Sequence, residues 1–127
     1  MDINKKNILV VDDSQSVRNY MKMILERAKY RVFVAKDGQE AIDIYRKYKC
    51  IDLVVTDIYM PRKTGGDLIM ELKKENNNIK IIAFSDGGKY NFSNESGECE
   101  SIGATYFIKK ENINNELVDL VNKIFSK

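Results

Sequence analysis

Asp12 and Asp13 follow the apolar run Asn7-Ile8-Leu9-Val10-Val11, and Asp57 closes the run Leu53-Val54-Val55-Thr56. Ser85 stands after Ile79 to Phe84, and Lys109 after Ala104 to Ile108. Three carboxylates, a hydroxyl and an ammonium thus close four runs of strand character. On its own Asp57 reads as a residue that begins a turn, as aspartates after strands often do. Brought together, the set asks for a different explanation. Like-charged pairs at short range cost on the order of 1–4 kcal/mol each at surface-like dielectric, so a cation should relieve them. Lys109 supplies one charge, and a divalent ion is the natural second. Oxygen donors that are few and partly hydrated favour Mg²⁺. Metal and lysine together suit phosphoryl transfer, and an aspartate can be the nucleophile that forms an acyl phosphate.

That chemistry requires elements that deliver all four runs to one edge. Asn7–Val11 and Leu53–Asp57 read as buried strands, since short apolar runs rich in β-branched residues end at turn signals. Ser14 is a natural N-cap for a helix whose buried face is Val17, Met21, Ile24, Leu25 and Ala28. Arg31 to Ala35 is a short strand suited to a sheet edge, and Asp37-Gly38 turns out of it. Ala41, Ile42, Tyr45 and Tyr48 mark a second helix that ends before Cys50. Pro61 to Gly66 reads as a loop and Asp67 to Glu75 as a third helix. Ile79 to Phe84 is the fourth strand. A long polar loop from Gly87 to Asn94 and a short helix over Glu95 to Ile102 come next. Ala104 to Ile108 is the fifth strand, and Asn112 could cap a last helix with Leu117, Leu120, Val121, Ile124 and Phe125 inward. Strand and helix alternate five times, which predicts an α/β fold: a doubly wound parallel five-stranded sheet, (βα)5, covered on both faces. In such a sheet the carboxyl ends of the strands share the edge where ligands bind.

The chain resembles a receiver domain of bacterial two-component response regulators, of the stand-alone chemotaxis-receiver-like kind. Asp12-Asp13-Ser14 with Arg18, Asp57-Ile58-Tyr59-Met60-Pro61 with Gly65, Ser85, Gly103-Ala104, and Tyr106 through Lys109 carry the likeness over the whole length. The resemblance implies a flavodoxin-like fold with strand order 2-1-3-4-5, and Asp57 as acceptor of a phosphoryl group from a histidine kinase or histidine phosphotransfer protein. It implies Mg²⁺ held by Asp13, Asp57 and the carbonyl of Tyr59, with Asp12 helping. Lys109 would pair with the phosphoryl oxygens, and Ser85 and Tyr106 would form the switch. The implied output surface is the penultimate helix, the last strand and the last helix. As a signalling domain it would be no enzyme beyond its own phosphotransfer and slow autodephosphorylation.

Composition bounds the alternatives. A chain of 127 residues makes one domain, 1–127, that needs no disulfide or metal staple. Cys50 and Cys99 show no paired spacing, and without histidine a zinc site is improbable, so a reducing cytoplasmic setting is expected. The net charge of +2 with scattered lysines gives no footprint for nucleic acid, and no apolar run approaches the roughly 20 residues of a membrane span. With nothing after Lys127, the output is expected to be a separate effector protein, and the chain a monomer or weak dimer.

A haloacid-dehalogenase-like phosphatase needs a second aspartate where Tyr59 stands, and a flavodoxin phosphate loop would be repelled by Asp12-Asp13. A receiver-like interaction module that works without phosphorylation is the closer rival. It draws on three departures: Lys110 where the family carries a cis proline, Asp86 after the switch serine, and the Gly87-Gly88 loop. A non-proline cis bond costs about 2.5–4 kcal/mol, so a trans bond is expected there. Asp86 is expected to slow phosphorylation by small donors, and bulky Tyr59 to shield the acyl phosphate from water. Tyr59→Ala should therefore lose its phosphoryl group faster than the parent in a time course of intact mass; equal rates would remove that role.

Overall fold

The computed structural model describes residues 5–58, 65–85 and 104–126. Five parallel strands form one sheet: β1 (Asn7–Val11), β2 (Arg31–Ala35), β3 (Leu53–Asp57), β4 (Lys80–Ser85) and β5 (Tyr106–Lys109). Their order is β2-β1-β3-β4-β5, with β2 at an edge. The helices are α1 (Gln15–Arg27), α2 (Gly38–Tyr48), α3 (Gly65–Glu75) and α4 (Ile113–Phe125), the last preceded by a 3₁₀ turn at Lys110–Asn112.

Alternation along the strands divides the core into two layers, because successive side chains leave opposite faces of a sheet. Leu9, Val11, Val54, Ile81 and Ala83 point to the layer that holds Ala41 and Ile42 of α2 and Leu68, Ile69 and Leu72 of α3. Ile8, Val10, Leu53, Val55, Ile82, Phe84 and Ile108 point the other way, onto Met21 and Leu25 of α1 and Leu117 and Val121 of α4. The doubly wound architecture is thus the expected one. Among the described residues no helix is long and apolar enough to cross a membrane.

β1, β2 and β3 keep their expected limits, while three later elements are displaced by one or two residues. α3 starts at Gly65 rather than Asp67, β4 starts one residue later at Lys80, and β5 spans Tyr106–Lys109 rather than Ala104 to Ile108. Ser14 caps α1 as expected, its Oγ accepting the Val17 N–H at 3.4 Å. Asp37 does more than turn the chain: its carboxylate accepts the Glu40 N–H at 2.8 Å and so caps α2. Asn112 sits at the cap position of α4 without a side-chain cap bond, since the 3₁₀ turn already leads into the helix. The expected loop at Gly87 to Asn94, the helix at Glu95 to Ile102, and Cys99 lie outside the described residues.

Asp37 is only 5% exposed, so its capping bond is shielded from water. Asp37→Ala should lower stability by about 0.5–2 kcal/mol, read as a lower urea midpoint at unchanged slope.

Candidate functional site

Parallel pairing fixes which side chains meet at the carboxyl edge of the sheet. Val11 stands opposite Thr56 in the register of β1 and β3, so the next residue on each side, Asp12 and Asp57, become neighbours. Asp12 is fully buried and Asp57 is 4% exposed, whereas Asp13 is exposed. One oxygen from each of the three carboxylates lies within 4.8 Å of the others. At that separation each pair repels by about 3–4 kcal/mol for an effective dielectric near 20. The expected acidic cluster is therefore assembled.

The backbone around it is held tightly. The Asp12 N–H donates to the Ala35 carbonyl at 3.1 Å, and Asp12 Oδ1 accepts the Ser14 N–H at 2.7 Å. Arg18 Nη1 donates to the Asp12 carbonyl at 2.6 Å. Beyond β3, the buried Thr56 hydroxyl donates to the Asp57 carbonyl at 3.0 Å, and the Ile58 N–H donates to the Phe84 carbonyl at 3.0 Å. The peptide that follows Asp57 is thus fixed through both its oxygen and its N–H.

The ammonium at these carboxylates belongs to Lys110, which corrects the expectation placed on Lys109. Lys110 Nζ lies 3.1 Å from Asp12 Oδ2 and 3.4 Å from Asp57 Oδ2. Lys109 is exposed. Strand periodicity gives the reason. Asp57 pairs with Phe84, and Phe84 with Ile108, so these three share a row on the α1/α4 face. Lys109 is still extended, with φ −76° and ψ 140°, so Lys110 returns to the face of Ile108. The Lys110 side chain is 25% exposed and its ammonium lies 5.8 Å from the Phe84 ring centroid, so it is no merely solvated lysine. The Lys109–Lys110 peptide is trans, as expected. With the lysine at 110, the residue in the family's proline position becomes Glu111.

The same shift moves the aromatic. Tyr106 is 39% exposed, and the residue three before the site lysine is now Phe107, half-buried against the α2/α3 layer. Ser85 closes β4 opposite Lys109 in register, which places its backbone at the site edge. The placement of its hydroxyl, and the roles expected of Tyr59, Asp86, Gly87 and Gly88, lie outside the described residues. Two adjacent lysines of the same type conceal which of them faces the carboxylates. The inward Ile108, two residues before Lys110, was the available signal.

Burial pushes the Asp12 carboxyl above the ordinary range, against the pull of the Ser14 N–H and of Lys110. Burial also works to depress Lys110, but Asp57 and Asp12 outweigh it and hold its ammonium above the usual lysine value. Against three carboxylates this lysine supplies one positive charge. Asp12 Oδ2 is sealed from solvent, and although Lys110 is near, no donor is aligned on it as a hydrogen bond. An all-oxygen cluster whose negative charge exceeds what one ammonium offsets suits a hard divalent cation such as Mg²⁺, for which Asp12, Asp13 and Asp57 are the candidate protein donors.

The chain is similar to known proteins in both sequence and fold. The sequence model of the response regulator receiver domain matches residues 8–122. The chemotaxis protein CheY of Thermotoga maritima is 36% identical over 120 residues, covering 94% of this chain and 97% of that protein. Sporulation initiation phosphotransferase F of Bacillus subtilis is 31% identical over 121 residues, covering 95% and 94%. Other relatives are longer; the chain spans 34% of a probable transcriptional regulator of Cyanophora paradoxa, at 44% identity over 82 residues. Among solved structures, the response regulator TrrA of Thermotoga maritima, in complex with Mg²⁺ and beryllium fluoride, superposes with a TM-score of 0.81 at 29% identity, covering 94% of this chain and 99% of that one. A receiver domain from Clostridium thermocellum shares the fold with a TM-score of 0.86 at 24% identity, covering 95% and 94%.

The two lysines are separable by experiment. Removing Lys110 strips a shielded partner from two carboxylates, so Lys110→Met should cost about 1–3 kcal/mol in metal-free urea unfolding. Lys109→Met should leave the midpoint nearly unchanged; equal effects from both would contradict the assignment.

Proposed function

The chain belongs to the response regulator receiver family, and on that premise we propose that it accepts a phosphoryl group on Asp57, from a histidine kinase or a histidine phosphotransfer protein, with Mg²⁺ as cofactor. The observation that carries this reading is the Lys110 ammonium lying on Asp57 inside a cluster of three carboxylates. A structural role alone leaves so much like charge at one sheet edge unexplained.

In the proposed reaction an Asp57 oxygen attacks the phosphorus of a phosphohistidine. The P–O bond forms as the P–N bond breaks, and the imidazole leaves with the bonding pair and takes up a proton. Asp57 becomes an acyl phosphate. Asp13 and Asp57, with Asp12, would hold Mg²⁺, whose charge offsets that of the phosphoryl oxygens. Lys110 is placed to shift from the carboxylate to those oxygens as negative charge grows there. The locked peptide after Asp57 holds the nucleophile at the end of β3, so little reorganisation is needed at the moment of attack.

The signal follows from charge. Phosphorylation adds about −1.5 to −2 at Asp57, which new hydrogen bonds can reward in only one arrangement of the surrounding loops. Ser85 is the hydroxyl assigned to the phosphate, and Phe107 replaces Tyr106 as the aromatic whose packing answers it. The changed surface, including β5 and α4, would be read by a separate effector protein. The activity is self-catalysed phosphotransfer and slow autodephosphorylation, without turnover of a further substrate.

Intact-mass analysis with acetyl phosphate should show one phosphoryl adduct that needs Mg²⁺ and is absent from Asp57→Asn. No adduct together with no beryllofluoride binding would favour an interaction module that works without phosphorylation. Failure with acetyl phosphate alone would instead point to strict dependence on a protein donor.

A further inference from the structure

Asp13 is the exposed member of the acidic cluster, and among the described residues no hydrogen bond or ion pair holds its carboxylate. Its direction must be delivered by the backbone. The peptide that joins it to Asp12 therefore sets that direction. The oxygen of that peptide is the one that Arg18 Nη1 reaches at 2.6 Å. A guanidinium donor makes this a charge-assisted bond, roughly twice as strong as a neutral one. On the other side of Asp12, the N–H is tied to Ala35 and the carboxylate to Ser14. The Arg18 N–H in turn donates to the Ser14 carbonyl at 3.0 Å, so the first turns of α1 and the acidic loop form one closed set of bonds.

From these contacts we infer that Arg18 is a positioning residue for Mg²⁺ binding: it fixes the plane of the Asp12–Asp13 peptide and thereby aims the Asp13 carboxylate into the cluster. This rests on the reading of the cluster as a Mg²⁺ site. Helix stability gives Arg18 no comparable reason to be there, because a cation near a helix N-terminus opposes the macrodipole, and the first turn of α1 carries no acid to offset it. A purely electrostatic role makes the opposite prediction. A guanidinium beside the cluster repels a divalent cation, so removing it would tighten binding.

The experiment is calorimetric titration of Mg²⁺ into the parent, Arg18→Met and Arg18→Lys. Loss of a residue that orients a metal ligand typically costs about 10-fold or more in affinity, and that is the weakening expected for Arg18→Met. Arg18→Lys keeps a charged donor of similar reach and should bind within about threefold of the parent, since one N–H to the carbonyl is enough. In metal-free protein the Asp13 amide resonance should move in Arg18→Met and stay near its parent position in Arg18→Lys. Should Arg18→Met not fold, Arg18→Gln takes its place, being two bonds too short to reach the Asp12 carbonyl. Equal or tighter Mg²⁺ binding by Arg18→Met, or by Arg18→Gln in its place, overturns the inference, as does a lysine variant as weak as the methionine one. A parent that binds no Mg²⁺ overturns the metal-site reading itself, a result distinct from a parent that binds and a variant that binds equally well.

Discussion

Two carboxylates are shielded from water side by side at the carboxyl edge of the sheet, Asp12 on one strand's exit and Asp57 at the next strand's last position. Isolated burial of a carboxylate is costly enough that such groups normally neutralise or find a partner. The surrounding contacts answer that demand in three different ways. Ser14 gives Asp12 a backbone N–H, Lys110 gives both carboxylates a positive charge, and the register of β1 with β3 keeps the pair from moving apart. What remains uncompensated is charge rather than geometry. A site left negative while its backbone is pinned is prepared for a cation without having to reorganise.

Register explains why the parts of the site come from so many segments yet fall into place. A one-residue slip in a strand exchanges its two faces. β1, β3 and β4 each bury one face on α1 and α4 and the other on α2 and α3, so neither face tolerates the exchange. The apolar side chains that specify the core therefore specify the site as well. Leu53 and Val55 commit Asp57 to the α1/α4 face, and Ile108 commits Lys110 to the same one. Core packing and electrostatics are here one constraint read at two positions along each strand.

The sequence made the architecture legible because apolar runs and helical stripes alternate without ambiguity, and it made the three carboxylates legible because each follows an unmistakable strand. The lysine was harder. Lys109 and Lys110 are chemically identical neighbours, and their types cannot say which one faces Asp57. That depends on the phase of β5, an edge strand whose limits blur at Ala104 and Thr105 and whose outward residues include the aromatic Tyr106. Once the phase is known from Ile108, the lysine and the aromatic move together by one position. The cap at Asp37 was hidden for another reason, since a turn and an N-cap ask for the same residue.

Phe107 shows how the two faces of the sheet could be coupled. It stands opposite Ala83 in register and rests against the α2/α3 layer, whereas Lys110 reaches Asp57 from the α1/α4 side. The two residues are three apart, Phe107 on β5 and Lys110 at the start of the 3₁₀ turn, and among the described residues β5 hydrogen-bonds along one edge. Between them stands Ile108, buried on the Lys110 side, so the segment that carries the lysine also carries Phe107 on the other face. A half-buried aromatic has surface that a change of packing can cover or expose, and a charge-driven switch requires such a group. Tyr106 stands on the opposite face, 39% exposed, and so does not share the contact of Phe107 with the α2/α3 layer.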